Sequence, residues 1–354
     1  MTPVALLEQI LDLARWAPSG DNAQPWRFQI QGEMRFTILG RDTRDHCLYD
    51  LDGRSTQLAI GAMIETAALA ASRHGLRLDA QLRPMTDVSR PTFDVLLAAQ
   101  PGMLSDPLWQ AIPERSVHRR PMSRQALTET HWQVLRGAVG EDHELVHYDG
   151  KQRLSWASLL WANGGLRLRL PEGFETHRRA IDWGKRFSRT AIPDQALGVD
   201  AMTIAIMRRA MTSWNRVHFM NRWLAGTHMP RLLMDFLPSL ACGAHIALMA
   251  KRPPSSTADY VAGGRAVQRF WLAATQLGLQ HQPAATPLVF ARYLREGTSF
   301  TANGDETNLA RRLTAKLDRL LDGRTDRTVW LGRIGHGTAS TSRSVRRPLS
   351  ELMV

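Results

Sequence analysis

Two stretches of this chain read as copies of one helix. Residues 59–76, AIGAMIETAALAASRHGL, can be laid on residues 262–279, AGGRAVQRFWLAATQLGL, at a constant offset of 203 (262 − 59). Seven positions then match, from Ala59/Ala262 and Gly61/Gly264 to Gly75/Gly278 and Leu76/Leu279. A strand-like alternation follows each copy. Chance likeness between two Ala-rich helices is the alternative, and the shared Gly-Leu ending favours a repeated unit. Small residues let helices approach closely, so the two copies are expected to pack on each other about a pseudo-twofold axis. Pro101–Pro113 is the expected junction. The expected halves are residues 1–105 and 106–354, the second with an inserted helical region at about 150–240.

The remaining patterns fill in an α+β chain. Thr2 and Pro3 open a helix whose Leu6, Leu7, Ile10, Leu11 and Ala14 share a face. Trp26, Phe28 and Ile30, then Met34, Phe36 and Ile38, alternate as a hairpin. Residues 57–74 are apolar on most sides and predict a buried helix. Strands are expected at 76–82, 92–98, 144–148, 244–250, 286–292 and 328–334. Helices are expected at 126–138, 153–163, 200–212, 259–277 and 307–321. Isolated strands and short hairpins among helices argue against a regular βαβ alternation.

Composition bounds the partners. The chain has 354 residues, 44% apolar and 22% charged, as globular proteins do. Lys plus Arg is 45 against 33 acids, an excess of +12 that suits anionic groups such as a cofactor phosphate. Cys47 and Cys242 alone exclude a disulfide framework. No metal is expected of the histidines. No run of about 20 uncharged apolar residues predicts a spanning helix. The acidic Glu8 and Asp12 near the N-terminus argue against a signal peptide and for a cytoplasmic protein. Scattered arginines without a recognisable motif make nucleic acid a poor partner. No membrane partner is expected.

Three segments could carry chemistry. In Ala17-Pro18-Ser19-Gly20-Asp21-Asn22-Ala23-Gln24-Pro25-Trp26, two prolines stiffen a loop whose Ser19, Asn22 and Gln24 offer donors and acceptors for the polar edge of a flat heterocycle. A self-satisfied turn is the alternative. In Arg115-Ser116-Val117-His118-Arg119, two arginines four apart and a hydroxyl could converge on one phosphate, or form a solvated basic connection. Ser342-Arg343-Ser344-Val345-Arg346-Arg347 alone is a basic tail. Trp156, Trp161, Trp183, Trp214 and Trp223, with Met202, Met207, Met211 and Met220, read as core. The Gly332–Gly337 run lies in the closing strand and is no dinucleotide fingerprint.

Together these segments resemble the nitroreductase family of FMN-dependent oxidoreductases. The signs are APSxxNxQPWxF at 17–28, RSxxR at 115–119, the DYVAGGRAVQRFWLAATQLGL helix at 259–279 and the arginine-containing ending at 331–352. The arginine turn follows the proline loop instead of preceding it, which resembles the tandem, single-chain branch of Acg-type proteins. The resemblance implies a nitroreductase-like fold, with two halves forming a pseudo-dimer around FMN, as a monomer or as a homodimer. It implies that Arg115, Ser116 and Arg119 hold the FMN phosphate. Ser19, Asn22 and Gln24 would contact the ring or ribityl chain from the other half. Arg346, with Ser344, would reach the phosphate or ring edge, and Gln282 and Pro283 would lie in a loop on the flavin face. The implied activity is hydride transfer from NAD(P)H, through the flavin, to a nitroaromatic or quinone-like acceptor, with no protein nucleophile. A flavin-sequestering protein with a lidded site is the alternative.

Overall fold

The computed structural model describes residues 2–224 and 226–354. Helix α1 (Pro3–Ala14) starts where the Thr2 hydroxyl accepts the Ala5 N–H. It leads to the hairpin β1 (Trp26–Gly32) and β2 (Arg35–Gly40), helix α2 (Arg54–Ser72), and strands β3 (Leu76–Leu82) and β4 (Thr92–Ala99). The second run holds α3 (Glu129–Ala138), β5 (His143–Tyr148), α4 (Arg153–Arg169), α5 (Pro171–Ala180), α6 (Ala201–Ala210) and α7 (Trp214–Trp223). Strand β6 (Ala244–Ala250), α8 (Thr257–Gln276), β7 (Leu279–Pro283), α9 (Thr286–Glu296), α10 (Gly304–Leu320) and β8 (Thr328–His336) follow.

Among the described residues, two antiparallel four-stranded sheets share one order. The first runs β1-β2-β4-β3 and the second β5-β6-β8-β7. In each, a hairpin pair is followed by a long helix, an edge strand and a returning strand. The runs differ in what joins the strands. Residues 33–34 turn β1 into β2, whereas 149–243 separate β5 from β6. Helices α9 and α10 stand where the first run has a short loop. The chain is thus α+β.

The long helices α2 and α8 pack on each other. Their contact obeys the offset of 203 read from the sequence. A Cβ on Gly61 would collide with the Val261 carbonyl, and one on Gly264 with the Leu58 carbonyl. These two contacts exchange under the offset, because 58 + 203 = 261 and 61 + 203 = 264. Two polar pairs exchange likewise. Arg269 donates to Glu65 at 2.9 Å, and Gln268 donates to Thr66 at 2.9 Å. Nearly every side chain of α2 is buried, as its apolar run predicts.

Three buried clusters result. One fills the first sheet with α1 and α2, one lies between the second sheet and α8, and one joins α4, α9 and α10. The expected junction is packed: Leu108, Ala111 and Ile112 enter the second cluster. The tail returns to the first half, where Phe28 N–H donates to the Leu352 carbonyl at 2.8 Å.

Three expectations are corrected. Residues 286–292 form α9 rather than a strand, with Pro287 in its first turn and Leu288–Tyr293 all buried, which erases any helical stripe. Residues 280–283 belong to strand β7 rather than to a loop. Trp156 is core, but Trp223 and Met202 are 66% and 74% exposed.

Candidate functional site

The Pro18–Pro25 loop leaves α1 by a tight turn and adopts an unusual backbone. Asp21, Asn22 and Gln24 have φ of 48°, 62° and 51°, in the left-handed region. Non-glycine residues there cost about 1–2 kcal/mol each, and such strain collects at functional sites. Side chains hold the shape. The Ser19 hydroxyl accepts the Gln24 N–H at 3.0 Å. The Gln24 carboxamide donates to the carbonyls of Asn22 (3.0 Å) and Arg189 (2.8 Å), and accepts the Arg347 N–H at 2.9 Å. Asn22 donates to the Val345 carbonyl at 3.0 Å, while its Oδ1 is buried with no partner.

The arginine turn meets the end of α1 where this loop begins. Val117 bridges β7 at His281, and the His118 N–H donates to the His281 carbonyl at 3.0 Å. Arg115 is 3% exposed. Its Nη2 donates to the Trp16 carbonyl at 2.9 Å, its guanidinium lies 4.6 Å from the Trp271 ring centroid, and its Nε has no partner. Arg343 donates to the Arg115 carbonyl at 3.3 Å and leaves Nε unpartnered. Arg346 donates to the Ala17 carbonyl at 3.0 Å. Ser344 donates to the Ala191 carbonyl at 2.9 Å, and Ser116 is half-buried in the turn.

Among the described residues, none of Arg115, Arg343 and Arg346 has a carboxylate within ion-pair distance. Burial, then repulsion from Arg346 and Arg343, holds Arg115 well below its ordinary value. Burial, Arg343 and Arg15 push Arg346 down to about 9. Clustered cations this deep without a counter-charge favour binding of an anion.

A second polar group adjoins it. Arg119 and Arg333 are pushed down to about 10, chiefly by burial, and Arg333 donates to the Arg119 carbonyl at 3.2 Å. Burial raises the Asp21 carboxyl against the opposing pull of Arg119 and Arg167, so the proline loop and the arginine turn face each other. Tyr49 Oη lies 2.6 Å from His177 Nε2. Burial pushes His177 down to about 3 and raises Tyr49, so the phenol donates to a neutral imidazole. Arg167 pairs with Asp235 at 3.3 Å. Asp21, Tyr49, Arg119, Arg167, His177 and Asp235 are all half-buried and desolvated.

Of the residues named from sequence, Ser19, Asn22, Gln24, Arg115, Ser344 and Arg346 meet in one hydrogen-bonded knot. Gln282 pairs across β7–β8 with Arg333, its Oε1 buried and unpartnered, and Pro283 ends β7. Sequence reasoning missed Trp16, Trp271, Arg333, Tyr49, Arg167, His177 and Asp235 as site residues. Arg343 lay inside the quoted C-terminal motif and was passed over. Trp271 and Arg333 likewise lay inside quoted segments, and the others, at positions 16, 49, 167, 177 and 235, share no local spacing.

His281 and His245, both 1% exposed, give a pH prediction. His281 Nδ1 lies 3.1 Å from the Arg333 carbonyl, and its Nε2 accepts from Trp330 at 3.2 Å. His245 Nε2 lies 3.0 Å from the Ser239 carbonyl. Burial pushes both down to about 3. Below the unfolded value of about 6.5 the unfolded chain takes up protons that the folded one refuses, so stability falls as pH drops from 6.5 towards 3. Each histidine costs about 2 kcal/mol at pH 5. The raised carboxyls of Asp21, Asp50 and Asp235 act in the opposite sense, so the readout is a difference. Between pH 7 and pH 5, His281→Gln should lose about 2 kcal/mol less than the wild type in denaturant titrations. Equal losses would contradict the assignment, and His245→Gln repeats the test.

No protein-family model matches the chain. A curated relative, the uncharacterized protein MT1398 of Mycobacterium tuberculosis, is 24% identical over 308 residues, 82% of this chain. The chain spans 40% of that relative's length. Among solved structures, the chain is similar to a nitroreductase-like family protein from Bacillus cereus, with a TM-score of 0.35, 13% identity, and coverage of 70% of this chain and 95% of that one. It is similar to the FMN-dependent nitroreductase NfnB from Mycobacterium smegmatis in complex with NADPH, with a TM-score of 0.38, 16% identity, and coverage of 68% and 94%. A nitroreductase with bound FMN from Bacteroides fragilis matches with a TM-score of 0.35, 10% identity, and coverage of 66% and 90%.

Proposed function

We propose that the chain is an FMN-dependent oxidoreductase of the nitroreductase type, with residues 1–105 and 106–354 as two related halves around one flavin. The observation that carries this reading is the Arg115–Arg343–Arg346 cluster, with Arg115 and Arg346 buried and no carboxylate beside them, braced against the Trp16 and Ala17 carbonyls where the proline loop begins. A phosphate monoester supplies the missing charge and accepts the free guanidinium N–H groups. Arg115, Arg343 and Arg346, with Ser116 and Ser344, would hold it, and Arg119 would stand beside it in the adjoining group with Asp21 and Arg333. The orphaned Asn22 Oδ1 and Gln282 Oε1 suit an imide N–H on the ring, so the residues present fit FMN. Ser19 and Gln24 hold the loop that presents Asn22, and Pro283 stiffens the end of β7. When bound, FMN supplies hydride chemistry between NADH or NADPH and an electron-poor acceptor such as a nitroaromatic or a quinone. The clustered arginines set a positive field in the site, and the neutral Tyr49–His177 pair adds a hydroxyl to the adjoining polar group.

One observation favours a second reading, flavin sequestration. The inserted region lies on the proline loop, since Asn22 and Gln24 reach the carbonyls of Ala191 and Arg189. Adding NADPH without oxygen to FMN-loaded protein separates the two. Bleaching of the flavin band followed by nitroaromatic reduction is expected. A flavin that stays oxidised would overturn the enzyme reading.

A further inference from the structure

Residues 201–234 contain five arginines and no acidic residue. Helices α6 and α7 pack against each other, and neither has a buried residue. Helical spacing sorts their exposed side chains. On α7, Phe219 and Trp223 are four apart, 55% and 66% exposed, and form one ridge. At 100° per residue, Arg216 falls about 60° to one side of Phe219 and Arg222 about 60° to the other. On α6, Met202 and Ile206 are 74% and 50% exposed, with Arg209 on the same face. Among the described residues, none of these three arginines has an ion-pair partner. Asn221 donates to the Leu168 carbonyl at 2.9 Å, and Trp214 meets Phe174 at 5.9 Å, so the pair is anchored from beneath on α4 and α5.

We propose that the α6–α7 hairpin docks this protein on an anionic lipid surface, its apolar ridge entering the headgroup layer and its flanking arginines meeting lipid phosphates. An apolar ridge bordered by arginines is the pattern of helices that lie in a bilayer interface. The charge selects the partner. In a symmetric contact between two copies, each arginine row would face its own image. Nucleic acid would meet the arginines but offers nothing to Met202 and Ile206. The sequence expectation of no membrane partner considered spanning helices, and among the described residues no helix is long and apolar enough to cross a membrane. This hairpin would lie on the surface instead.

Flotation of the full chain with phosphatidylcholine vesicles, with and without 30% phosphatidylglycerol, tests the proposal. Binding is expected only with the anionic lipid and should weaken as salt rises. Phe219→Ser with Trp223→Ser should weaken it at least tenfold. Arg216→Gln with Arg222→Gln should weaken it about 30-fold, at about one kcal/mol per arginine near an anionic surface. The arginine pair is exposed and outside every buried cluster, so it keeps the test open if the aromatic variant misfolds. No flotation with anionic vesicles, or binding indifferent to both variants, would overturn the proposal. So would a dimer split by the aromatic variant, or duplex DNA binding in place of vesicle binding. Flavin content plays no part in this test, so its result is independent of the oxidoreductase reading.

Discussion

Arg115→Met is expected to abolish FMN retention while leaving the flavin-free protein at least as stable as the wild type. Two charge-assisted hydrogen bonds to a buried phosphate are worth about 3–4 kcal/mol, so affinity should fall on the order of 100- to 1,000-fold. The stability argument has the opposite sign. Methionine loses one hydrogen bond to the Trp16 carbonyl and one contact with Trp271, about 1 kcal/mol each. It also removes a buried cation that Arg343 and Arg346 repel, and burying an uncompensated charge costs several kcal/mol. Relief should match or exceed loss. Arg292 provides the contrast, since it is equally deep but paired with Asp52. Arg292→Met would strand that carboxylate and should cost about 3–5 kcal/mol. Flavin content and thermal unfolding of the two variants decide the matter. An Arg115→Met protein that keeps its full complement of FMN would remove the phosphate assignment.

Gly264→Val should unfold the protein or leave it insoluble. The added Cβ would meet the backbone carbonyl of Leu58, which cannot rotate away, so α2 and α8 must separate. Overpacking a core costs about 1–3 kcal/mol where side chains can yield. Here the obstacle is backbone and the interface joins two buried clusters, so the loss should exceed about 4 kcal/mol, on the order of 10 °C in melting temperature. Gly263→Ala is the control. Its Cβ would sit 3.4 Å from Leu58 Cδ2 and Val329 Cγ2, ordinary contact, and alanine favours the helix by about 0.8–1 kcal/mol. A Gly264→Val protein as stable as Gly263→Ala would show that the helices are not locked in this register.

The same glycines explain why so much of the fold was legible. A residue that must be small at a helix crossing leaves a mark at a fixed place in the chain, and two such marks 203 apart gave the pairing of α2 with α8. Alternation at Trp26–Ile30 and Leu76–Leu82 survived because one face of each strand is open. Where burial is all-round, as at Leu288–Tyr293 of α9, apolar runs carry no period and the strand reading failed. The tryptophans and methionines of α6 and α7 misled for the converse reason, since helical spacing shows that they share a face but not what covers it. In the site, the proline loop and the arginine turn were legible because their residues are neighbours in sequence. Tyr49, Arg167, His177 and Asp235 meet only after the 149–243 insertion folds back on the first half, and no local spacing encodes that.

Titration of the flavin-free chain with FMN, followed by quenching of flavin fluorescence, tests the central claim most directly. One FMN per chain is expected, with the tight phase lost in both Arg115→Met and Arg346→Met. Saturation at two per chain, or binding that survives both substitutions, would contradict a single site gripped by both halves.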